Sequence, residues 1–371
     1  MPRACFLLSL MLVVWLAACS QEAPLVVGFL GGLSDRNSDV GESGLHGVQL
    51  AVEQTNRAGG VAGRKVRLVA RDDAATPATA VRAAEELAAL KVEAVIGPFS
   101  SGMAAAAVPV LARTGTLAIS PTITAMELHG KDDNLIRINR TTRDNASDYA
   151  QTLLGMGQKR MAIAYDVRNQ VFTESWLNEF RRFYTELGGV LVVAVPYESR
   201  VDLDFARVVA DMVSARPDAL LFISGGIDVA RLAHQARKRA PELPIAAAEW
   251  GASLQMLELG GEMVEGLVII ENYNRHDGSE RYAAFREAYF QRFNKRPDYS
   301  AVCAYDAAMV LFTAMSRRER GESAKQAVLK YGPYQGLQQE IVFDANGDTQ
   351  RQVFFARIRN GEFQPLNHGS K

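Results

Sequence analysis

Cysteine is scarce in this 371-residue chain. There are three, at positions 5, 19 and 303, too few to staple a fold of this size with disulfides. The five histidines (His46, His129, His234, His276 and His368) are scattered, with no pair at the helical spacing of a zinc site. Neither sign of charge dominates, with 41 Lys+Arg against 42 Asp+Glu. The basic face that nucleic acid binding needs is therefore missing. Walker-type glycine–lysine spacing is absent, and so is a G-x-S-x-G elbow. Asp344-x-Asn346-x-Asp348 begins like a calcium loop, but Thr349 stands where that loop needs Gly and Phe355 where it needs a bidentate Glu. It reads as a hairpin turn. Asp72 and Asp73 point to opposite faces of an extended chain, so they make a poor acid/base couple and read as a strand end or pocket rim. No metal, cofactor or catalytic constellation is expected.

What is present begins with an address. Arg3 precedes Phe6 to Leu16, an apolar run shorter than the roughly 18 residues that span a bilayer. The run closes on Leu16-Ala17-Ala18-Cys19, which looks like a bacterial lipobox. Cleavage of residues 1–18 and lipidation of Cys19 are expected. The body would then be tethered to the periplasmic side of a membrane by its first residue. Cys303, in the apolar stretch 301–304, would be the only free thiol and a buried structural one. No other segment reads as long and apolar enough to cross a membrane.

The composition, 48% hydrophobic and 22% charged, is that of a soluble globular protein, and the length suits two domains. From Leu25 onward strand and helix alternate. Strands are expected at 25–30, 66–70, 92–96 and 117–120, and helices at 44–55, 77–90 and 103–113. A second series follows, with strands at 161–165, 190–195, 219–223 and 245–248. Its first helix carries a stripe of Trp176, Phe180, Phe183 and Leu187, and further helices are marked by Phe205 to Met212 and by 229–239. Continuous apolar strands separated by helices describe parallel sheets covered on both faces, so each half is an α/β, doubly wound unit. The tail carries helices near 282–293 and 304–315, then a hairpin of 340–343 with 352–358.

In such sheets, ligands sit beyond the carboxyl ends of the strands. The strand at 92–96 runs into Gly97-Pro98-Phe99-Ser100-Ser101-Gly102 and a helix, whose free N–H groups and serine hydroxyls suit a carboxylate. Ser100 or Ser101 also suits an N-cap. The strand at 117–120 runs into Pro121-Thr122-Ile123-Thr124. The strand at 245–248 ends in Glu249-Trp250-Gly251, an acid beside an aromatic, which suits an ammonium group.

These residues belong to a longer pattern. It includes Gly47-Val48-Gln49-Leu50-Ala51, Asn56-Arg57-Ala58-Gly59-Gly60-Val61-Ala62-Gly63, Arg71-Asp72-Asp73-Ala74 and Val95-Ile96-Gly97-Pro98. It continues with Ile119-Ser120-Pro121, Ala304-Tyr305-Asp306-Ala307 and the run from Phe343 to Asp348. Over essentially the whole mature chain this resembles the leucine/isoleucine/valine-binding proteins, the type I periplasmic solute-binding proteins of ABC importers.

The resemblance implies a type I periplasmic binding fold, with two lobes joined by a three-crossover hinge that close on a small ligand. Residues 24–140 with 274–331 would form the first lobe, and 141–273 with 332–366 the second. Ser101 falls on the family's carboxylate-binding serine, Ile123 and Thr124 on the loop holding both head-group charges, and Glu249 on the acid that binds the amino group. Phe99 would line the pocket, and Phe172 stands for a family tyrosine. There are departures. The loop Gly32–Gly41 is longer and more charged, Arg168-Asn169 is inserted, and Ser224-Gly225-Gly226 stands where leucine-binding proteins carry bulky aromatics. A pocket lined by glycine there would admit a larger or more polar ligand.

The resemblance thus implies a monomeric, non-catalytic lipoprotein that traps an amino acid or similar carboxylate for an ABC permease. The alternative is a sensing or scaffolding lipoprotein of the same fold, acting on a membrane receptor or a cell-wall enzyme.

Overall fold

The computed structural model describes residues 23–34 and 38–366. The expected signal segment and the expected lipidation site, Cys19, lie outside the described residues. The first lobe is built on β1 (Leu25–Gly31), β2 (Val66–Asp72), β3 (Ala94–Ile96), β4 (Leu117–Ser120) and β5 (Leu135–Arg137). These pair in the order β2-β1-β3-β4-β5, parallel throughout. Helices α1 (Ser38–Arg57), α2 (Pro77–Ala89) and α3 (Ser101–Arg113) alternate with the strands. Successive side chains of a strand face opposite ways. Val27 and Phe29 therefore enter one core, and Leu30 enters another with Leu87 and Met103. Both faces are covered, and this is why the strands read as continuous apolar runs.

The second lobe repeats the plan. Helix α4 (Thr142–Gly155) leads into β6 (Arg160–Asp166), then α5 (Gln170–Glu186), β7 (Val190–Tyr197), α6 (Phe205–Ser214) and β8 (Ala219–Ile223). Next come α7 (Gly226–Arg239), β9 (Ile245–Ala247), α8 (Leu254–Gly260) and β10 (Val268–Glu271). The buried stripe of α5 is Trp176, Phe180 and Tyr184. The expected Phe183 is half-buried, and Leu187 lies past the last turn, 52% exposed. β5, α4 and β10 had no counterpart in the sequence reading. Leu267-Val268-Ile269-Ile270 was an apolar run that could have revealed β10.

The chain then returns to the first lobe with α9 (Glu280–Phe293) and α10 (Tyr299–Arg317), followed by α11 (Ala324–Lys330) and a ribbon of β11 (Tyr334–Gln335) and β12 (Glu340–Ile341). It crosses once more, adding β13 (Phe354–Arg359) and β14 (Glu362–Pro365) antiparallel at the edge of the second sheet. That sheet runs β14-β13-β10-β9-β8-β6-β7.

Three expectations are corrected here. The segments 340–343 and 352–358 do not pair with each other, because each finds a partner in a different lobe. The first-lobe boundary at 331 falls short, since Tyr334, Leu337 and Ile341 are buried in the first lobe's core. And α10 is long and apolar enough to cross a membrane by length and composition. It is instead the central packing helix of the first lobe, with Ala301, Val302, Cys303, Ala307 and Leu311 fully buried. Burial pushes the Cys303 thiol up to about 12, so it stays protonated and inert.

The chain passes between lobes three times, around 138–141, 272–279 and 342–353. Buried ions pin these passages. Arg137, fully buried at the end of β5, pairs with Asp348 on the third crossover at 2.9 Å and with Asp133 at 2.9 Å. Burial alone would raise the Asp348 carboxyl, but His129, the Gly130 N–H and Arg137 outweigh it and hold the group below its usual range. Arg351 reaches Asp306 of α10 at 3.0 Å, and Asp306 also accepts the Leu337 N–H at 2.8 Å. Both side chains are nearly inaccessible.

An unpaired buried charge is costlier than no charge at all. Arg351→Met should therefore lower the stability of the protein by about 3–5 kcal/mol, measured as the urea midpoint. Pairing it with Asp306→Asn should recover much of the loss.

Candidate functional site

The carboxyl ends of both sheets open onto one cavity of about 100 Å3. A water occupies roughly 10–15 Å3 on that measure, so the space suits one small organic molecule. Most of the wall comes from strand ends, with Val40, Gly41, Met103 and Tyr299 added from helices. Asp73 follows β2, Phe99 to Ser101 follow β3 and Thr122 follows β4; from the second lobe come Arg168 and Asn169 after β6, Glu249 and Trp250 after β9, and Asn272 after β10. The cavity lies where the strand order reverses, at β1/β3 in one sheet and β6/β8 in the other, the place such folds reserve for ligands.

On the first lobe, Ser100 caps α3 by accepting the Met103 N–H at 3.3 Å. Ser101, only 2% exposed, turns onto the cavity. The Gly102 N–H is taken by Asn169 Oδ1 at 3.0 Å, a bond from the other lobe. That leaves the Ser101 N–H as the unclaimed donor of this helix end, beside a hydroxyl with no partner among the described residues. The loop is held by the hydroxyls of Ser120, which donates to the Pro98 carbonyl, and Thr122, which donates to the Phe99 carbonyl. The Phe99 ring fits because α1 has no side chain at Gly44, where a Cβ would stand 2.1 Å from Cε1 of the ring.

On the second lobe, Glu249 is 4% exposed and tightly held. Its Oε1 accepts from Asn145 Nδ2 at 2.9 Å and its Oε2 from Trp176 Nε1 at 2.8 Å. Tyr149 steadies the β9 backbone behind it, donating to the carbonyls of Val268 at 2.7 Å and Ala247 at 3.0 Å. Burial pushes the Glu249 carboxyl up, against the pull of its own backbone, Asn145, Trp176 and the more distant Arg140. The group is thus a rigid acid whose charge lacks a cationic partner in contact. Asn272 Oδ1, also buried, has no hydrogen-bond partner among the described residues, and Asn272 lies on the same wall. Trp250 meets Phe172 edge-on with centroids 5.9 Å apart, and it packs against the cores of both lobes.

Of the residues expected here, Phe99, Ser100, Ser101, Phe172, Glu249 and Trp250 line the cavity. Two do not. Ile123 is buried in the core of α2 and α3, and Thr124 is fully buried without lining the cavity, while the neighbouring Thr122 faces it. Ser224-Gly225-Gly226 does not line the cavity either. A Cβ on Gly226 would sit 2.2 Å from Ser253 Oγ, so this glycine serves close packing between α7 and the segment leading into α8. Asp72 and Asp73 behave as strand-end structure: Asp72 accepts the N–H groups of Leu33 and Ala74, and Asp73 accepts that of Ala75.

The sequence reading missed Thr122, Arg168, Asn169, Asn272 and Tyr299 as wall residues. The strand-end rule applied to β6 could have found Arg168 and Asn169. Asn272 follows β10, so the apolar run at 267–270 could have pointed to it, whereas Tyr299 opens α10 and carries no local signal. The expected longer loop at 32–41 is helical from Ser38 onward. Among the described residues no cluster of His, Cys, Asp and Glu could hold a metal ion.

Gly44→Ala tests the packing behind Phe99. The added methyl should force the ring to move and cost about 1–3 kcal/mol, visible as a lower thermal midpoint.

Comparison with known proteins agrees with this fold. Residues 24–362 match the family model described as periplasmic binding protein. A Leu/Ile/Val-binding protein homolog 2 of Brucella abortus is 25% identical over 94% of both chains. The leucine-binding protein LivK of Thermotoga maritima superposes with a TM-score of 0.84 at 25% identity, covering 92% of this chain and 97% of that one. The branched-chain amino acid transporter protein LivJ of Streptococcus pneumoniae, solved with isoleucine, gives a TM-score of 0.85 at 23% identity, covering 92% and 98%, a likeness of fold. The chain belongs to the periplasmic binding proteins, type I, of the leucine/isoleucine/valine-binding family, whose members bind solutes.

Proposed function

We propose that this protein is the exported, lipid-anchored solute-binding component of an ABC importer, and that it traps an amino acid or a closely related small carboxylate between its lobes. The observation that carries the reading is the pairing of opposite chemistries across one cavity. Ser101 offers N–H and hydroxyl donors from the first lobe, and Glu249 offers a buried carboxylate from the second. A zwitterionic head group satisfies both. Its carboxylate meets the Ser101 donors and the positive end of the α3 dipole. Its ammonium meets Glu249, with Asn272 Oδ1 as a further acceptor.

Binding drives closure because the second-lobe contacts exist only when the lobes meet, and a ligand shifts an equilibrium only by such differential contacts. The closed form is then the one that engages a permease. No reaction is required of the ligand. Anchorage through Cys19 would keep the protein at the membrane that houses its permease partner.

Glu249→Gln keeps the size of the side chain and an oxygen to accept from Trp176, but it removes the charge and needs the Asn145 amide to turn and offer its oxygen to the new NH2 group. Amino-acid affinity should fall by about 2–5 kcal/mol, roughly thirty-fold or more, while the circular dichroism spectrum is unchanged. Calorimetric titration of the ligand-free protein decides it, and an unaltered Kd would remove Glu249 from the head-group site.

The pH dependence has a definite sign. Burial raises the Glu249 carboxyl, so the folded free protein holds this proton more tightly than the unfolded chain does. This group's contribution to stability therefore falls as pH rises through the window above the ordinary carboxylate range. A bound ammonium reverses the preference. Ligand-induced thermal stabilisation should accordingly be large at neutral pH and shrink as pH drops toward that window, and Glu249→Gln should flatten this dependence.

A further inference from the structure

Arg168 is the one cation on the cavity wall among the described residues. It leaves the carboxyl end of β6, and its guanidinium is held from behind. Nε and Nη2 reach Oδ2 of Asp166 at 3.3 and 3.2 Å. Asp166 is fully buried, and its Oδ1 accepts the backbone N–H groups of Arg168 and Ser199, both at 3.1 Å. The pair therefore does not float in solvent. A guanidinium has five N–H donors, two are spent on Asp166, and no others are engaged by the described residues. A fixed planar fork with spare donors on a cavity wall matches the oxygens of a carboxylate.

The adjacent residue ties this fork to closure. Asn169 Oδ1 accepts the Gly102 N–H at the start of α3, so the 167–169 turn of the second lobe is docked on the first. A ligand group that touches Arg168 is thus contacted by it when the lobes have met, which is the kind of contact that drives closure. The head group's two charges have their own partners in Ser101 and Glu249. Arg168 is left for whatever the ligand carries at its other end.

We propose that Arg168 is the specificity-determining residue that receives a second carboxylate of the bound solute, which makes the ligand an amino acid with an acidic side chain. This rests on the amino-acid reading given above. The rings of Phe99, Phe172 and Trp250 line the space for the methylene groups between the two ends, and a branched aliphatic side chain would offer the spare guanidinium donors on the half-buried Arg168 no acceptor.

The test uses the chain from Ser20 onward, which holds every described residue, unfolded and refolded to strip any co-purified solute. Calorimetric titrations with L-aspartate, L-glutamate, L-glutamine and L-leucine give four dissociation constants. One of the two acidic amino acids should bind at least tenfold more tightly than glutamine and leucine. Arg168→Met should erase that preference, weakening the acidic ligand tenfold or more while leucine binds no more weakly than to wild type. Arg168→Lys, which keeps the charge over Asp166 and guards against a variant that fails to fold, should retain part of the preference. Tighter binding of leucine or glutamine by the wild type would overturn the proposal and leave the amino-acid reading standing. An equal loss for all four ligands in Arg168→Met would also overturn it, placing Arg168 at the head group. Silence of the wild type toward every amino acid in the panel would overturn both.

Discussion

Two parallel sheets meet carboxyl end to carboxyl end, and every group in the cavity is there because of that meeting. Parallel strands must be joined by long crossovers, which cover the sheet faces and leave strand ends free to carry loops. In each lobe the strand order reverses near its middle, so loops diverge and leave a crevice. Facing the two crevices produces one enclosed site with walls from five or more separate strand ends. The ion pairs Arg137–Asp348 and Arg351–Asp306 hold the third crossover against the first lobe and thereby set how the two sheets are hinged.

The polar groups near the site fall into two kinds. Asp72 and Asp166 have their oxygens occupied by backbone N–H groups and neighbouring side chains, and they stiffen the strand ends. The Ser101 hydroxyl, Asn272 Oδ1 and the outer face of the Arg168 guanidinium are left for something else. Leaving buried polar groups unpaired costs a protein stability, and a bound solute that pairs them regains it. Glu249 combines both kinds, since Asn145 and Trp176 fix its position while its charge stays without a cationic neighbour in contact.

The motifs that carry the family resemblance turn out to be mostly structural. Asp72 shapes the loop after β2, Asp306 anchors Arg351, and Asp348 pairs with Arg137 and His129. That explains how a chain only 25% identical to its relatives could be placed in its family. Arg168 and Asn169 are the residues that bring a cation and a cross-lobe bond to the site.

Local pattern along the chain is enough to lay out its elements. Apolar runs of strand length between amphipathic helices dictate parallel sheets buried on both faces, and strand-end loops such as 97–102 and 249–251 announce a site through their residue types. Glu249, Ser101 and Phe99 were legible for that reason. Packing across the folded chain settles which side chain of a loop faces inward, and which distant segments meet. Thr122 rather than Ile123 faces the cavity, the segments 340–343 and 352–358 part to different lobes, and Asn145 and Trp176 converge on Glu249 from two helices. The physical reason is range. Secondary structure is dictated by a window of a few residues, while a loop's register and a strand's partner are decided by packing against elements up to hundreds of residues away.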